Sequence, residues 1–398
     1  MYRYDLIKNI HLEVSSLCNA ECSICNRRVN GGPKNPVMIE RFISLKEYKE
    51  WFDADLIKQL ESITLCGNYG DPMTNPELIP IMRYTKELNP DITFHMNTNA
   101  SGRDKQFWTD LADVIGKKGN VVFSVDGLED TNHIYRKGTN WKKIMNAMEW
   151  FTAENKSHAV WEFLVFKHNQ HQIQEARLLS ESLGFTSFHA KKAMGFSDKH
   201  GLEMKSLKHD GTLDYFMQAP DDEWRNEKVK KKQIVRKHGA SPTVVTEQTL
   251  SFMFDHTRTP IIDEDPKELE GYDNCKINCT AIRWGGQDLR SIFVASTGLV
   301  FPCCFTASKY YGVGVFETLQ LRNFIKEYGE ETIDLSKGNT VKSITESDLF
   351  QFGYNNRWNE STTESGKLLT CSKFCGSNVN TEILSTKKSV QRSGEYNV

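Results

Sequence analysis

The sequence predicts an α/β protein, and three observations predict it. Short β-rich runs alternate with helical patterns from Ile10 to about Ala190; the loop after most of these runs is polar or glycine-rich; and the cysteines gather towards the two ends of the chain. Such alternation is how a parallel sheet built from βα units reads. With 398 residues the chain can form more than one domain and bury a large core. We divide it into a core (1–193), a polar insert or linker with a surface helix (194–273), a small α+β cysteine-rich domain (274–380) and a flexible tail (381–398).

The strand candidates are Ile10–Val14, Ser62–Cys66, Ile92–Met96, Val121–Val125, Trp161–Phe166 and Thr186–Ala190. Between them Leu45–Gln59, Pro76–Leu88, Lys105–Lys117, Trp141–Asn155 and Gln172–Leu183 carry apolar residues at three- and four-residue steps, as helices do. Past Met194 the alternation stops. A basic run from Arg225 to His238 faces an acidic answer at Asp263-Glu264-Asp265, Glu268 and Glu270, and Ser241-Pro242 and Thr259-Pro260 mark breaks. A solvated helix face accounts for the basic run; docking of a nucleic acid or an acidic peptide is the sharper reading.

A hydrophobic fraction of 38% and a mean hydropathy of -0.53 suit a globular protein. No apolar run approaches the ~20 residues of a membrane span. The start, Met1-Tyr2-Arg3-Tyr4-Asp5, lacks an apolar signal core, so a cytoplasmic protein is expected. The net charge of -2 gives no global drive towards nucleic acid, and neither nucleic acid nor membrane is expected as a partner. In a reducing compartment, ten clustered cysteines favour metal over disulfides. Cys66 stands alone on a strand candidate and reads as a buried core thiol.

The most specific signal is Cys18-Asn19-Ala20-Glu21-Cys22-Ser23-Ile24-Cys25. With cysteine at about one residue in forty, this three-point spacing should arise by chance roughly 0.006 times in such a chain. Thiolates ligate iron–sulfur clusters, and one short loop can wrap three of them around one cluster. Three ligands leave one iron open, as catalytic metal sites leave a position for substrate. A zinc knuckle would use the same thiols.

Cys18, Cys22 and Cys25 resemble the defining motif of the radical SAM superfamily, with Ile24 where an aromatic residue usually stands. The resemblance implies a partial (β/α)6 barrel, a 4Fe-4S cluster and S-adenosylmethionine chelated at its open iron. It also implies reductive cleavage to a 5'-deoxyadenosyl radical, which abstracts hydrogen from a substrate, and a reducing donor such as a flavodoxin or ferredoxin. Gly67-Asn68-Tyr69-Gly70-Asp71-Pro72 is similar to the family's G-G-E-P segment, with Asp71 one carbon shorter than glutamate; Gly70, Asp71 and Pro72 are thus cofactor contacts by resemblance. Asn97-Thr98-Asn99-Ala100 is like the T-N-G segment, which makes Asn97 and Asn99 candidates for the ribose hydroxyls. Ser124, Asp126 and Arg136 follow the fourth strand, where the family binds the cofactor's carboxylate; a solvated charge is the plainer reading of Arg136. Asn169 resembles the polar residue of an N-x-x-x-I element, or belongs to a polar turn.

In the second half, Cys275 and Cys279, a hairpin over Ser291–Val294 and Leu299–Cys304 with a turn at Ser296-Thr297-Gly298, and Cys371 with Cys375 resemble SPASM and twitch domains, the shorter twitch form fitting better. That resemblance implies a second, auxiliary 4Fe-4S cluster aiding an oxidation or modification. Cys279, Cys303, Cys371 and Cys375 are the chosen ligands, with Cys275 the alternative first one and Cys304 in the core, because a hairpin alternates its faces. Zinc would accept the same thiolates. The function expected is therefore a radical SAM oxidoreductase or modifying enzyme acting on a peptide or a small polar molecule, such as one met by His189, Lys191 and Lys192. The competing reading is a non-catalytic iron–sulfur or zinc-binding scaffold.

Overall fold

The structure is a computed structural model and describes residues 2–193, 196, 202–225, 269–279, 281, 290–312 and 316–379. The basic run beyond Arg225, the breaks at 241–242 and 259–260, the acidic residues at 263–265 and 268, and the tail from 381 lie outside the described residues. Two compact units divide the chain: residues 12–45 with 62–251, and residues 1–11 with 46–61 and 252–398.

The first unit is the βα core. Strands β1 (Asn9–Leu12, whose last residue opens the unit), β2 (Ser62–Leu65), β3 (Thr93–Thr98), β4 (Asn120–Ser124), β5 (His158–Val165) and β6 (Ser187–Lys192) stand side by side in sequence order. From β2 to β6 every neighbouring pair is parallel. Each predicted strand is present, with ends shifted by a few residues. Alternate residues divide the faces. Leu65, Phe94, Met96, Phe123, Trp161 and Phe163 are buried on one side. The helices Leu78–Leu88, Lys105–Ile115, Trp141–Ala153 and Ile173–Ser182 bury apolar residues of their own, such as Ile81, Leu111, Met148 and Ala176. Burying side chains of this size stabilises by about 1.5–3 kcal/mol each.

The opposite row is half-buried and mixed: Thr64, His95, Asn97, Asn120, Ser124, Glu162 and Lys191 are polar, and Val122, Val160 and Leu164 stand among them. Two pairs run across it, His95 Nδ1 to Asn120 Oδ1 at 2.9 Å and Lys191 to Glu162. Cys66 extends β2 on this row, out of step with buried Ile63 and Leu65, so it is not the core thiol expected from the sequence.

Helix boundaries follow their caps. Asp104 accepts from Phe107 N at 3.0 Å and Asn140 from Lys143 N at 3.0 Å, each satisfying an amide left over at a helix start. The single helix predicted over 45–59 is two, Leu45–Trp51 and Ala54–Gln59. Asp53 is extended and caps the second one through Leu56 N at 2.8 Å, which ends the first.

The insert holds an antiparallel hairpin that the sequence reading does not include, β7 (Glu203–Leu207) and β8 (Leu213–Gln218). Its turn is made by Asp210, whose side chain accepts from Thr212 N at 2.9 Å, and by Gly211 at φ 82°. Asp-Gly between two strands is a hairpin signal, and mixed polar and apolar flanks obscured it.

The second unit contains the cysteine-rich part. β10 (Ser291–Val294) and β11 (Val300–Phe301) form the predicted hairpin, while β9 (Lys276–Ile277) pairs with β12 (Gly376–Ser377). Helices Cys304–Tyr310, Phe316–Lys326, Tyr354–Asn359 and Leu369–Cys375 pack with them around Phe293, Phe301, Phe324, Phe350 and Tyr354. Buried Glu317 ties three of these helices together, bonding Thr370 Oγ1 at 2.9 Å and Lys373 Nζ at 2.5 Å and lying 3.4 Å from Lys309 Nζ. Among the described residues no helix is long and apolar enough to cross a membrane.

Candidate active site and cysteine cavity

In the core unit the loop after β1 folds back on itself so that its three thiols share one neighbourhood. Ala20 N donates to Cys18 Sγ at 3.3 Å, Cys25 N to Cys22 O at 3.1 Å, and Glu21 N to Lys137 O at 2.8 Å. Gly138, at φ 81°, lets the strand-end loop pass Asn19, because a Cβ there would lie 2.6 Å from the Asn19 carbonyl. Ala20, Tyr135, Phe166, Phe196 and Met217 form an apolar shell behind the thiols, and Ile24 packs on it. Burial pushes the Cys18 thiol up to about 12, and Asp71 and Cys22 add to this. Burial likewise pushes Cys22 up to about 12, although the Arg136 guanidinium pulls the other way. Cys25 is raised by burial too and feels the charge of Cys18.

The loops after β2 and β3 close against this loop. Gly70 is indispensable there, since a Cβ would come within 1.8 Å of the Ser15 carbonyl. Asp71 N donates to Leu17 O at 2.8 Å. The Asp71 carboxylate is buried and accepts three bonds, from Thr98 Oγ1 at 2.8 Å, Met73 N at 3.1 Å and Asn99 N at 2.7 Å. Burial raises its pKa while these donors oppose the rise. Pro72 starts the short turn that Asp71 caps. Asn99 Nδ2 reaches Asn19 Oδ1 at 3.0 Å and points at Cys18 Sγ from 3.6 Å, so the second and third loops both touch the thiol loop. Asn97 stays on β3 opposite Val122 and makes no bond to this network among the described residues.

After β4, Asp126 is fully buried and accepts from Arg136 Nε at 2.6 Å and Leu164 N at 2.6 Å. Arg136 lies over the Tyr135 ring, 5.4 Å from its centroid. Its Nη atoms have no hydrogen-bond partner among the described residues. Arg136 is therefore no solvated surface charge: its side chain is 16% exposed and its charge is felt by Cys22. Ser124, at the end of β4, stands opposite Glu162. Asn169 is 0% exposed and spends its amide on backbone, accepting from Phe166 N at 2.7 Å and donating to Asp126 O at 2.8 Å and Leu164 O at 2.9 Å. It pins the turn under Asp126. Sequence reasoning missed Glu13, which accepts from Tyr69 N at 2.8 Å and directly follows β1, and Glu162 within β5; no motif marks either.

The second unit builds a separate cavity lined by Cys279, Cys303, Cys371 and Cys375 together with Trp358 and Phe374. The β9–β12 ladder places Cys279 near Cys375, with Asn278 N donating to Cys375 O at 2.9 Å. Phe305 stacks on Phe374 with ring centroids 3.9 Å apart, which draws Cys303 to the last helix. Cys303 is the N-cap of helix Cys304–Tyr310, so the chain turns at this point instead of continuing as a strand. Cys304 is accordingly half-exposed on the first turn rather than in the core, and the alternation argument for it fails. Cys275 lies outside the cavity lining; its carbonyl accepts from Lys367 Nζ at 2.9 Å, and its sulfur fills the space beside Gly376. Burial raises the thiols of Cys303 and Cys371, and bonding to Cys375 followed by burial raises Cys279. Among the described residues no three His, Cys, Asp or Glu side chains, in either cysteine group, close on a point as a single metal ion would require.

The parallel α/β sheet thus carries three cysteines in the loop after its first strand, at the strand ends where such folds place their sites. Residues 12–178 match the family model described as the Radical SAM superfamily, and this stretch of the chain is a radical SAM domain. No curated protein matches the sequence. Among solved structures the chain is similar to SuiB of Streptococcus suis bound to S-adenosylmethionine, at 15% identity over 75% of this chain and 60% of SuiB, with a TM-score of 0.44. It is also similar to anSMEcpe with bound AdoMet, at 14% identity over 86% of this chain and 81% of that one, TM-score 0.44. A third is BtrN in complex with AdoMet and 2-DOIA, at 13% identity over 92% and 93%, TM-score 0.37. The chain thus spans 60% of the length of SuiB.

Proposed function

We propose that the chain cleaves S-adenosylmethionine reductively at a cluster held by Cys18, Cys22 and Cys25, abstracts hydrogen from a polar substrate, and holds a second cluster in the cavity of Cys279, Cys303, Cys371 and Cys375. The observation that carries the reading is the packing of buried Cys22 and half-buried Cys18 and Cys25 against one apolar cluster, beside an arginine whose Nε is held and whose Nη pair is open. When bound, the cluster supplies one electron to the cofactor, which then yields the 5'-deoxyadenosyl radical.

The chain's own residues prepare that chemistry. Metal ligation needs thiolates, and burial makes the protons of Cys18 and Cys22 harder to lose than those of an ordinary thiol, so loading must expel them against that shift. Asp126 fixes Arg136 by one nitrogen, which leaves the planar fork to grip a carboxylate in two places. Asp71 serves first as the tie between the loops after β2 and β3, and Asn99 carries that tie onto the thiol loop. Tyr135 and Phe166 exclude water behind the site. The mixed row of the sheet, with Lys191 paired to Glu162, is the wall a polar substrate would meet. A donor such as a flavodoxin or ferredoxin would deliver the electron, and Cys279, Cys303, Cys371 and Cys375 would hold the second group, which would supply one-electron redox chemistry there.

Anaerobic reconstitution, reduction and addition of S-adenosylmethionine test the reading. The chain should release 5'-deoxyadenosine and Cys22→Ala should release none. A chain that loads iron yet forms no 5'-deoxyadenosine would instead be the iron–sulfur scaffold.

A further inference from the structure

The four-cysteine cavity has two buried polar donors beside it that nothing in the protein satisfies. Trp358 lines the cavity and is 9% exposed; its indole Nε1 lacks a hydrogen-bond partner. The indole is turned towards Cys371, whose thiolate form it favours, yet no protein acceptor meets it in bonding geometry. Tyr2 is 5% exposed, and its hydroxyl is likewise buried without a partner. Its ring stands edge-on to Phe350 at 5.0 Å, outside the cavity lining, and burial first, then the charges of Cys279 and Cys303, push the hydroxyl well above its ordinary range. A buried N–H or O–H left unpaired costs about 1–3 kcal/mol, so two at one cavity point to an acceptor that belongs there. Thr306 also lines the cavity, but its hydroxyl already has partners in the protein, the Cys303 carbonyl at 2.8 Å and Cys303 Sγ at 3.7 Å.

We propose that the Trp358 indole N–H and the Tyr2 hydroxyl donate hydrogen bonds to the sulfur atoms of the group held by Cys279, Cys303, Cys371 and Cys375, and thereby hold its reduction potential up. This rests on the reading of that cavity as an iron–sulfur site. Reduction adds negative charge to such a cluster, and donors aimed at its sulfurs stabilise the reduced form more than the oxidised one. Both residues are positioning residues: they tune the site without touching substrate.

The test uses the full-length chain carrying Cys18→Ala, Cys22→Ala and Cys25→Ala, reconstituted so that only the second site holds iron, with the midpoint read by EPR during a redox titration. Trp358→Phe and Tyr2→Phe should each lower the midpoint by a tenfold change in the reduced-to-oxidised ratio or more, which is about 59 mV for one electron. Midpoints unchanged in variants that keep their iron overturn the proposal. Tyr2→Phe removes a single oxygen and decides the matter where Trp358→Phe loses iron. Should both lose it, electron–nuclear double resonance of the background chain in H2O and D2O decides instead: a strongly coupled exchangeable proton supports the proposal, and none overturns it. A background chain that binds no iron at all contradicts the second-cluster reading itself, and iron analysis distinguishes that failure from the others.

Discussion

Asp126 and Arg136 form a pair in which the carboxylate is fully buried and the guanidinium is held by Nε alone, 2.6 Å away. The same carboxylate accepts from Leu164 N, so the pair is fastened to the next strand. Removing one partner of such a pair commonly costs 3–5 kcal/mol, because the other charge stays buried. Arg136→Lys keeps a charge but loses both the Nε bond and the fork. We expect it to load iron normally while S-adenosylmethionine affinity falls at least about tenfold, or about 1.4 kcal/mol. Anaerobic equilibrium dialysis beside iron analysis reads the two separately.

Iron counting assigns the thiols. Cys18→Ala, Cys22→Ala and Cys25→Ala together should remove about half the iron and sulfide of the reconstituted chain, and Cys279→Ala with Cys371→Ala should remove the other half. Cys66→Ala and Cys304→Ala should remove none, and neither should Cys275→Ala, because its sulfur lies off the cavity.

The pH dependence of the metal-free chain follows from the raised thiols. Cys18 and Cys22 are raised from 9.0 to about 12. Above pH 9 the unfolded chain sheds protons that the folded one keeps, so stability falls as pH rises through that window, by about 1.4 kcal/mol per pH unit for each group. The urea midpoint of the metal-free chain should therefore drop between pH 8 and pH 10.5 more steeply than that of the triple alanine variant. The reconstituted chain, whose ligands carry no proton to lose, should lack this extra drop.

Asn169→Ala should destabilise without altering iron content. The change strands the Phe166 amide and the Asp126 and Leu164 carbonyls in a fully buried turn. Each buried group left unmet costs about 1–3 kcal/mol, so we expect a loss of at least about 2 kcal/mol in urea unfolding.

Gly70→Ala should uncouple the loops. Its methyl group would meet the Ser15 carbonyl, which is backbone and has no rotamer to give. Cluster loading should fall several-fold while far-UV circular dichroism stays the same.

Much of this was legible in the sequence because the signals were local. The βα alternation located each core strand, and the spacing of Cys18, Cys22 and Cys25 marked the loop that the structure folds around three thiols. The grouping of Cys279, Cys303, Cys371 and Cys375 also came through, although the reason given for excluding Cys304 assumed a strand where the chain starts a helix. Other features depend on contacts across long separations. Asp71 resembles a ligand contact by motif, and only packing shows that its oxygens also accept from Thr98, Asn99 and Met73. Tyr2 and Trp358 are 356 positions apart, 358 minus 2, and no spacing rule joins them. The hairpin over 203–218 escaped because its apolar alternation is weak on both strands.

The most direct test of the central claim is the EPR spectrum of the reduced cluster at Cys18, Cys22 and Cys25, recorded with Cys279 and Cys371 replaced by alanine. Addition of S-adenosylmethionine should shift its g-values, and Arg136→Lys should raise the concentration needed. A spectrum that stays the same at saturating S-adenosylmethionine would mean that the three thiols hold no open iron, and the account would be wrong.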